Sequence, residues 1–181
     1  EDTTVPAAPS LSESSTPEMV AEAMRKRIAA QPRDFEAHFQ LGLLLSKKVT
    51  DDEAIKHLKI ARDLLPEYAG DPNPRQALAD LYQARGDKAA MLRELEALAR
   101  NRQQAFDACY RLAKVLLDRN NDTKAIYFLE RAIAVDPYQP DVHRLLATTA
   151  YRMADYDKAI RGFKILTALD DTDPVGAYSD L

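Results

Sequence analysis

The chain has 181 residues, of which 46% are hydrophobic and 30% are charged, so it is long enough for one ordinary domain and too apolar to be disordered throughout. Its net charge of −4 argues against a nucleic-acid binder that relies on bulk attraction to phosphate. The single cysteine, Cys109, excludes an intramolecular disulfide framework, and no sequence stretch is apolar for long enough to predict a membrane span.

The amino-terminal segment predicts a tail followed by a helix. Residues 1–16 are rich in Ser, Thr and Pro and hold almost no large apolar side chains, so burial cannot offset the entropy lost on ordering them. We expect a disordered tail or linker there. A leading helix is expected over 17–31, because Thr16 can cap it, Pro17 suits its first turn and Pro32 ends it.

From Phe35 onward the chain repeats itself. Four segments begin at Phe35, Pro72, Phe106 and Pro140, with offsets of 37, 34 and 34 residues. Large apolar residues recur at the same offsets, and small residues stand where two helices of a hairpin would cross closely. In the first segment these positions are Leu41, Gly42, Leu45, Ala54, Leu58, Ala61 and Pro66. In the third they are Leu112, Ala113, Leu116, Ala125, Leu129, Ala132 and Pro137.

This register resembles the tetratricopeptide repeat (TPR) family, whose helix–turn–helix unit of about 34 residues has the pattern W-x2-L-G-x2-Y…A-x3-F…P. The chain departs from the pattern at the opening aromatic position, which holds His38, Arg75, Cys109 and His143. The resemblance implies an all-α fold, a right-handed α-solenoid of stacked helix–turn–helix repeats. The four repeats would span 35–68, 72–105, 106–139 and 140–173, and residues 174–181 would start a further capping or repeat helix.

The resemblance also implies a function, namely a groove on the first helices of the hairpins that binds a partner peptide or protein. The predicted partner-binding residues are Phe39, Leu43, Lys47, Tyr110, Lys114, Arg144, Tyr151 and Arg152. The same surface would include Gln76 and Asp80. Aromatic rings beside cations suit a peptide that carries carboxylates and apolar anchors. The alternative is a solvated helix face whose Tyr rings lie on neighbouring repeats.

The apolar residues of the last complete helix predict that it packs against further protein surface. It presents apolar residues on more than one face, and terminal repeats normally carry a polar outer surface or a capping helix. These residues are Ile160, Phe163, Ile165, Leu166 and Leu169. We therefore expect either further residues downstream or a homo-oligomer formed through the carboxy-terminal repeat.

The sequence offers little with which to build a catalytic centre. It has no HExxH, G-x-S-x-G or glycine-rich phosphate loop. We expect buried packing positions on helices for His38, His143 and Cys109. His57 has no cysteine or carboxylate at metal-ligand spacing. We therefore expect no enzyme activity, no cofactor and no metal, and we expect a protein–protein interaction scaffold.

A second interpretation makes the chain an accessory or assembly domain of a larger enzyme or complex whose catalytic part lies elsewhere. The basic stretch MRKRIAAQP before the first repeat resembles bacterial TPR factors of haem-protein assembly, which would place it in the cell envelope or in cytochrome biogenesis. A soluble protein is expected, with the bacterial periplasm and the cytoplasm both open as compartments. The partner and the pathway are not determined by the sequence.

Overall fold

The computed structural model describes residues 16–47, 52–101 and 105–169. In these ranges every regular element is an α-helix. In chain order they are α1 (Pro17–Ala30), α2 (Phe35–Ser46), α3 (Asp52–Leu64), α4 (Pro74–Ala84), α5 (Lys88–Asn101), α6 (Phe106–Asp118), α7 (Asp122–Val135), α8 (Pro140–Arg152) and α9 (Tyr156–Leu169). The tail predicted over 1–16, apart from Thr16, and the helix start predicted at 174–181 lie outside the described residues.

The helices belong to two compact units, residues 1–86 and residues 87–181. In the first unit α2 packs against α3 as a hairpin, α1 packs on α2, and α4 packs on α3. In the second unit α6 and α7 form one hairpin and α8 and α9 another, while α5 packs on α6 and α7 packs on α8. Within each unit, successive helices therefore bury their apolar faces against their neighbours along the chain. Within the described ranges no helix combines the length and apolarity that a bilayer crossing requires.

Side-chain caps fix where several helices begin. Thr16 Oγ1 accepts from the Met19 N–H at 3.4 Å, and Asp34 Oδ1 accepts from the Ala37 N–H at 2.9 Å. Asn73 accepts in the same way and places Pro74 at the first helical position. Helix α4 therefore begins at Pro74, two residues after the predicted start of the second repeat at Pro72. Proline is tolerated at the first helical position because no intrahelical N–H is needed there.

The turns between consecutive helices follow the sequence period. Gly86, Asn120 and Ala154 lie 34 residues apart, and their φ angles are positive, at 74°, 55° and 61°. This left-handed conformation ends one helix and frees the following residue to cap the next helix. The capping residues are Asp87, Asn121 and Asp155.

Replacing Ala154 with glycine is expected to raise the free energy of unfolding by roughly 0.5–1 kcal/mol. An L-residue in the left-handed conformation costs about 1–2 kcal/mol, and glycine removes this strain. Glycine also has more conformational freedom in the unfolded chain, which offsets about 0.4–1 kcal/mol of the stabilisation. Urea unfolding followed by circular dichroism measures the change. Gly86→Ala is the opposite control and should lower stability, since a Cβ there meets no atom within 4 Å and the loss reflects the backbone alone. Equal stability of Ala154→Gly and the wild type would contradict the expectation.

Close helix crossings explain the small residues. A Cβ on Gly42 would lie 2.7 Å from Leu58 Cγ, so α2 and α3 approach at a distance that only glycine allows. In the last hairpin a Cβ on Gly162 would lie 2.8 Å from the Cβ of Ala147, so small residues meet there from both helices. On α9, Phe163 and Leu166 are buried in their own chain, whereas Ile160 and Ile165 are exposed. Self-association through this helix stays a prediction.

Candidate functional site

A cleft of about 390 Å³ lies between α2 and α4 in the first unit. It brings together three residues that the sequence assigned to the groove surface, Leu43 on α2 and Gln76 and Asp80 on α4. These two helices are the first helices of consecutive repeats in the sequence register. The volume falls within the range of about 300–1,000 Å³ that ligand pockets have.

The walls of this cleft combine apolar and acidic groups. Leu43, Ala77 and Leu81 supply apolar surface, and the carboxyl groups of Asp71 and Asp80 lie among the lining residues. Gln76 Nε2 donates to Asp80 Oδ1 at 3.3 Å. Such a surface can hold an apolar side chain while its carboxylates and amide accept hydrogen bonds from N–H groups of a peptide.

Phe39 lies deeper than the sequence suggested. Its side chain is 3% exposed, and its ring packs 5.6 Å from Phe35 and 5.8 Å, edge on, from Tyr68, measured between centroids. Phe39 therefore joins the core under the first helices, where a partner in the cleft would not touch it. Lys47 follows α2 directly and is exposed.

In the second unit the structure brings Tyr110 and Lys114 together on α6. Lys114 Nζ lies 5.4 Å from the centroid of the Tyr110 ring, a cation–π arrangement. The Tyr110 ring is itself stacked on Phe106, with centroids 6.0 Å apart. An aromatic ring with a cation across it forms a surface suited to a carboxylate next to an apolar group.

The three predicted residues on α8 have different surroundings. Tyr151 packs edge on against Tyr156, with centroids 5.7 Å apart. Arg152 makes a bidentate ion pair with Asp122, at 2.7 Å from Nε and 2.6 Å from Nη2, and the hydrogen bonds that it donates to Asp122 raise the pKa of Arg152. Arg152 therefore fixes the start of α7. Arg144 is half-buried, and its carbonyl accepts from Thr148 Oγ1 at 2.8 Å.

Comparison with known proteins places this geometry in a family. The tetratricopeptide repeat profile matches residues 77–140. Over these residues the chain carries tetratricopeptide repeats. The resemblance seen in the sequence is thereby confirmed, and so is the fold class, an all-α solenoid of TPR hairpins.

Solved TPR structures share this fold at low sequence identity. The crystal structure of MamA is 20% identical, with 87% of this chain and 90% of that chain covered and a TM-score of 0.67. YrrB, described as a TPR protein with an unusual peptide-binding site, is 19% identical, with 88% and 84% covered and a TM-score of 0.67. At these identities the likeness establishes the fold alone.

A curated relative is much longer than this chain. Anaphase-promoting complex subunit 3 from Schizosaccharomyces pombe is 29% identical over 157 residues, which cover 81% of this chain. The match spans only 22% of that relative's length.

The first TPR hairpin also holds a buried histidine pair that the sequence did not predict. His38 Nδ1 lies 2.8 Å from His57 Nδ1. His38 Nε2 lies 3.2 Å from the Pro32 carbonyl, which can only accept, so Nε2–H donates and Nδ1 of His38 accepts from His57. The other His57 nitrogen lies 3.7 Å from Glu53 Oε1. Glu53, four residues before His57, is thus a carboxylate neighbour that was not predicted from the sequence.

The histidine pair continues into an ion pair with the leading helix. Arg25 Nη2 contacts Glu53 Oε2 at 3.1 Å, and the hydrogen bonds from Arg25 lower the pKa of Glu53. The last TPR hairpin lacks this arrangement, because the residue equivalent to His57 is Gly162. There His143 keeps the bond from Nε2 to the Pro137 carbonyl at 2.8 Å, and its Nδ1 has no hydrogen-bond partner among the described residues.

The single cysteine is buried inside the second unit. Burial raises the pKa of the Cys109 thiol, so the thiolate is disfavoured there. Over 16–47, 52–101 and 105–169, no three His, Cys, Asp or Glu side chains are grouped so that they could hold a metal ion.

Acidification from pH 7 to pH 5 is expected to lower the stability of the first TPR hairpin. Burial and the nearby His38 lower the pKa of His57 below its ordinary value, so the folded chain binds this proton more weakly than the unfolded chain does. The stability that the neutral ring contributes is present above the unfolded pKa, and it is lost as the pH falls through the folded pKa. Urea unfolding at several pH values measures this slope.

His57→Gln is the control for that slope, because its amide can still donate to His38 but does not titrate. The carboxyl groups of Asp34 and Glu53 have lowered pKa values and remain ionised in this pH range. A slope that His57→Gln leaves unchanged would show that another group is responsible.

Proposed function

We propose that this chain is a non-catalytic scaffold that binds a peptide segment of a partner protein on the exposed faces of its first helices. The observation that carries the proposal is the cleft between α2 and α4, in which Leu43, Gln76 and Asp80 line one space. A concave, partly apolar site with a few polar groups is the usual form of a peptide site on a helical repeat protein. YrrB, a protein of the same fold, is described as having a peptide-binding site.

The cleft favours a particular kind of peptide. Its carboxylates, Asp71 and Asp80, would attract a lysine or arginine of the ligand, and its apolar wall would accept an aliphatic side chain next to it. In the second unit the Tyr110–Lys114 pair would instead accept a carboxylate. Each unit therefore has its own preference, a basic segment for the cleft of the first unit and an acidic segment for the Tyr110–Lys114 surface of the second.

Affinity capture of proteins from an extract of the source cells tests the proposal. The full chain is immobilised beside two variants, Gln76→Ala with Asp80→Ala in the cleft and Arg161→Ala with Lys164→Ala on α9. Bound proteins are quantified by mass spectrometry. We expect at least one specifically bound protein to fall about tenfold with the cleft variant, since polar contacts in a binding pocket carry a large share of affinity.

The α9 variant is the matched control, because it also replaces two polar side chains with alanine, and both of them are exposed and lie outside the cleft. Circular dichroism confirms that both variants keep their helices. Equal capture of every bound protein by all three chains would contradict the assignment of the cleft as the binding site.

A second proposal is that these repeats serve as an accessory region of a longer protein or complex. The observation in its favour is that the match spans 22% of a curated relative that is named as a complex subunit. Sequencing of the complete coding region tests it. A gene that encodes nothing beyond these residues, together with a chain that enters no complex on native gels of cell extract, would contradict it.

A further inference from the structure

A second cleft, of about 550 Å³, lies within the second unit among α5, α6 and α7. Its apolar part is formed by Leu92, Leu112, Leu116 and Phe128. This cleft is separate from the surface of Tyr110 and Lys114. At about 100° per residue, Leu112 and Leu116 lie on the opposite side of α6 from those two residues.

The polar lining of this cleft is strongly basic. Its cations are Arg100, Arg119, Lys124 and Arg131, and Glu96 is the one carboxylate among its lining residues. Glu96 is already paired with Arg100 at 3.3 Å. Neither Arg119 nor Lys124 has an ion pair with a residue in the described part of the chain. The chain as a whole has a net charge of −4, so the cleft concentrates a charge opposite to that of the molecule.

Parts of this lining are held in place before any ligand arrives. The Arg131 guanidinium donates to the Ala99 carbonyl on α5 and lies 5.7 Å from the centroid of the Tyr127 ring. Tyr127 packs edge on against Phe128 at 5.1 Å between centroids, and it is 55% exposed. A large exposed aromatic ring beside a fixed cation is typical of binding hot spots, because little side-chain freedom remains to be lost on association.

We propose that this cleft binds an acidic peptide segment of a partner protein, with an aliphatic or aromatic side chain of the segment seated on Leu92, Leu116 and Phe128. The cations Arg119 and Lys124 attract the carboxylates of the segment, and the apolar floor holds its apolar side chain. A short acidic segment fits better than a nucleic acid. A long polyanion would also be repelled by the remaining acidic surface of the chain.

Fluorescence anisotropy with the full chain tests the proposal. The probe is a labelled octapeptide that contains six Glu or Asp residues, one Phe and one Leu. Two protein variants are compared, Arg119→Glu with Lys124→Glu in the cleft and Arg161→Glu with Lys164→Glu on α9. Both change the net charge by the same amount and alter only exposed side chains. We expect about a tenfold or larger rise in Kd for the cleft variant and little change for the α9 variant.

Control peptides separate the electrostatic contribution to binding from the apolar one. Replacing the carboxylates of the peptide with amides should abolish binding, and replacing Phe and Leu with Ser should weaken it about tenfold. Tyr127→Ala in the protein should also weaken binding of the intact peptide. The inference is overturned if the peptide does not bind, if both charge-reversal variants weaken it equally, or if single-stranded DNA of the same charge binds more tightly than the peptide.

Discussion

Replacing Phe163 with alanine is expected to lower the free energy of unfolding by about 3–5 kcal/mol. Phe163 is 1% exposed and is the largest fully buried side chain in the part of the chain that the structure describes. It lies on α9, whose packing partner in the hairpin is α8. The shortened side chain removes buried apolar surface and leaves a cavity, because closely packed helices collapse only partly into the space.

Urea unfolding gives the size of this loss, and native-state hydrogen exchange gives its position. In a repeat protein each hairpin is stabilised by its neighbours, so the α8–α9 hairpin should lose amide protection first. Ile160→Ala is the matched control, since Ile160 lies on the same helix but is 48% exposed, and it should change stability by less than about 0.5 kcal/mol. Similar losses for the two variants would contradict the assignment of Phe163 to the core.

Gly42→Leu is expected to destabilise the first hairpin by about 2–3 kcal/mol. Even a single Cβ at this position would lie 2.7 Å from Leu58 Cγ and 3.2 Å from the Leu58 backbone nitrogen. A leucine side chain would therefore force α2 and α3 apart, because a backbone atom cannot move aside as a side-chain terminus can. The burial of Leu58, which is fully enclosed, would be lost in part.

Chemical denaturation of Gly42→Leu, with Gln40→Leu as its control, tests this expectation. Gln40 lies on the same helix but is exposed, so the same new side chain there should change stability by less than about 0.5 kcal/mol. A Gly42→Leu variant as stable as the wild type would show that the helices can separate without cost.

Much of the fold could be predicted from the sequence because its determinants are local or periodic. Thr16 was recognisable as a cap since capping depends on residues only a few positions away. Gly42 was recognisable as a crossing point since the same offset holds a small residue in every repeat. The fold class followed from the register of the four segments.

The candidate site was predicted less completely. The helix faces that hold Leu43, Gln76 and Asp80 followed from the register, but the open space between them depends on how far apart α2 and α4 lie. Phe39 was placed on the same face, yet the Tyr68 ring, which comes from the segment after α3, covers it. Arg152 was predicted as a ligand contact, and its pairing with Asp122 joins residues 30 positions apart.

The helices and several of their caps could be predicted from the sequence, because hydrophobic periodicity and turn chemistry act over a few residues. The contacts between side chains of different helices emerge only when the helices pack together. His38 and His57 became a hydrogen-bonded pair, and Arg131 was fixed beside Tyr127 in a basic cleft. Such contacts depend on the separation and rotation of packed helices, which the volumes of many buried side chains set together.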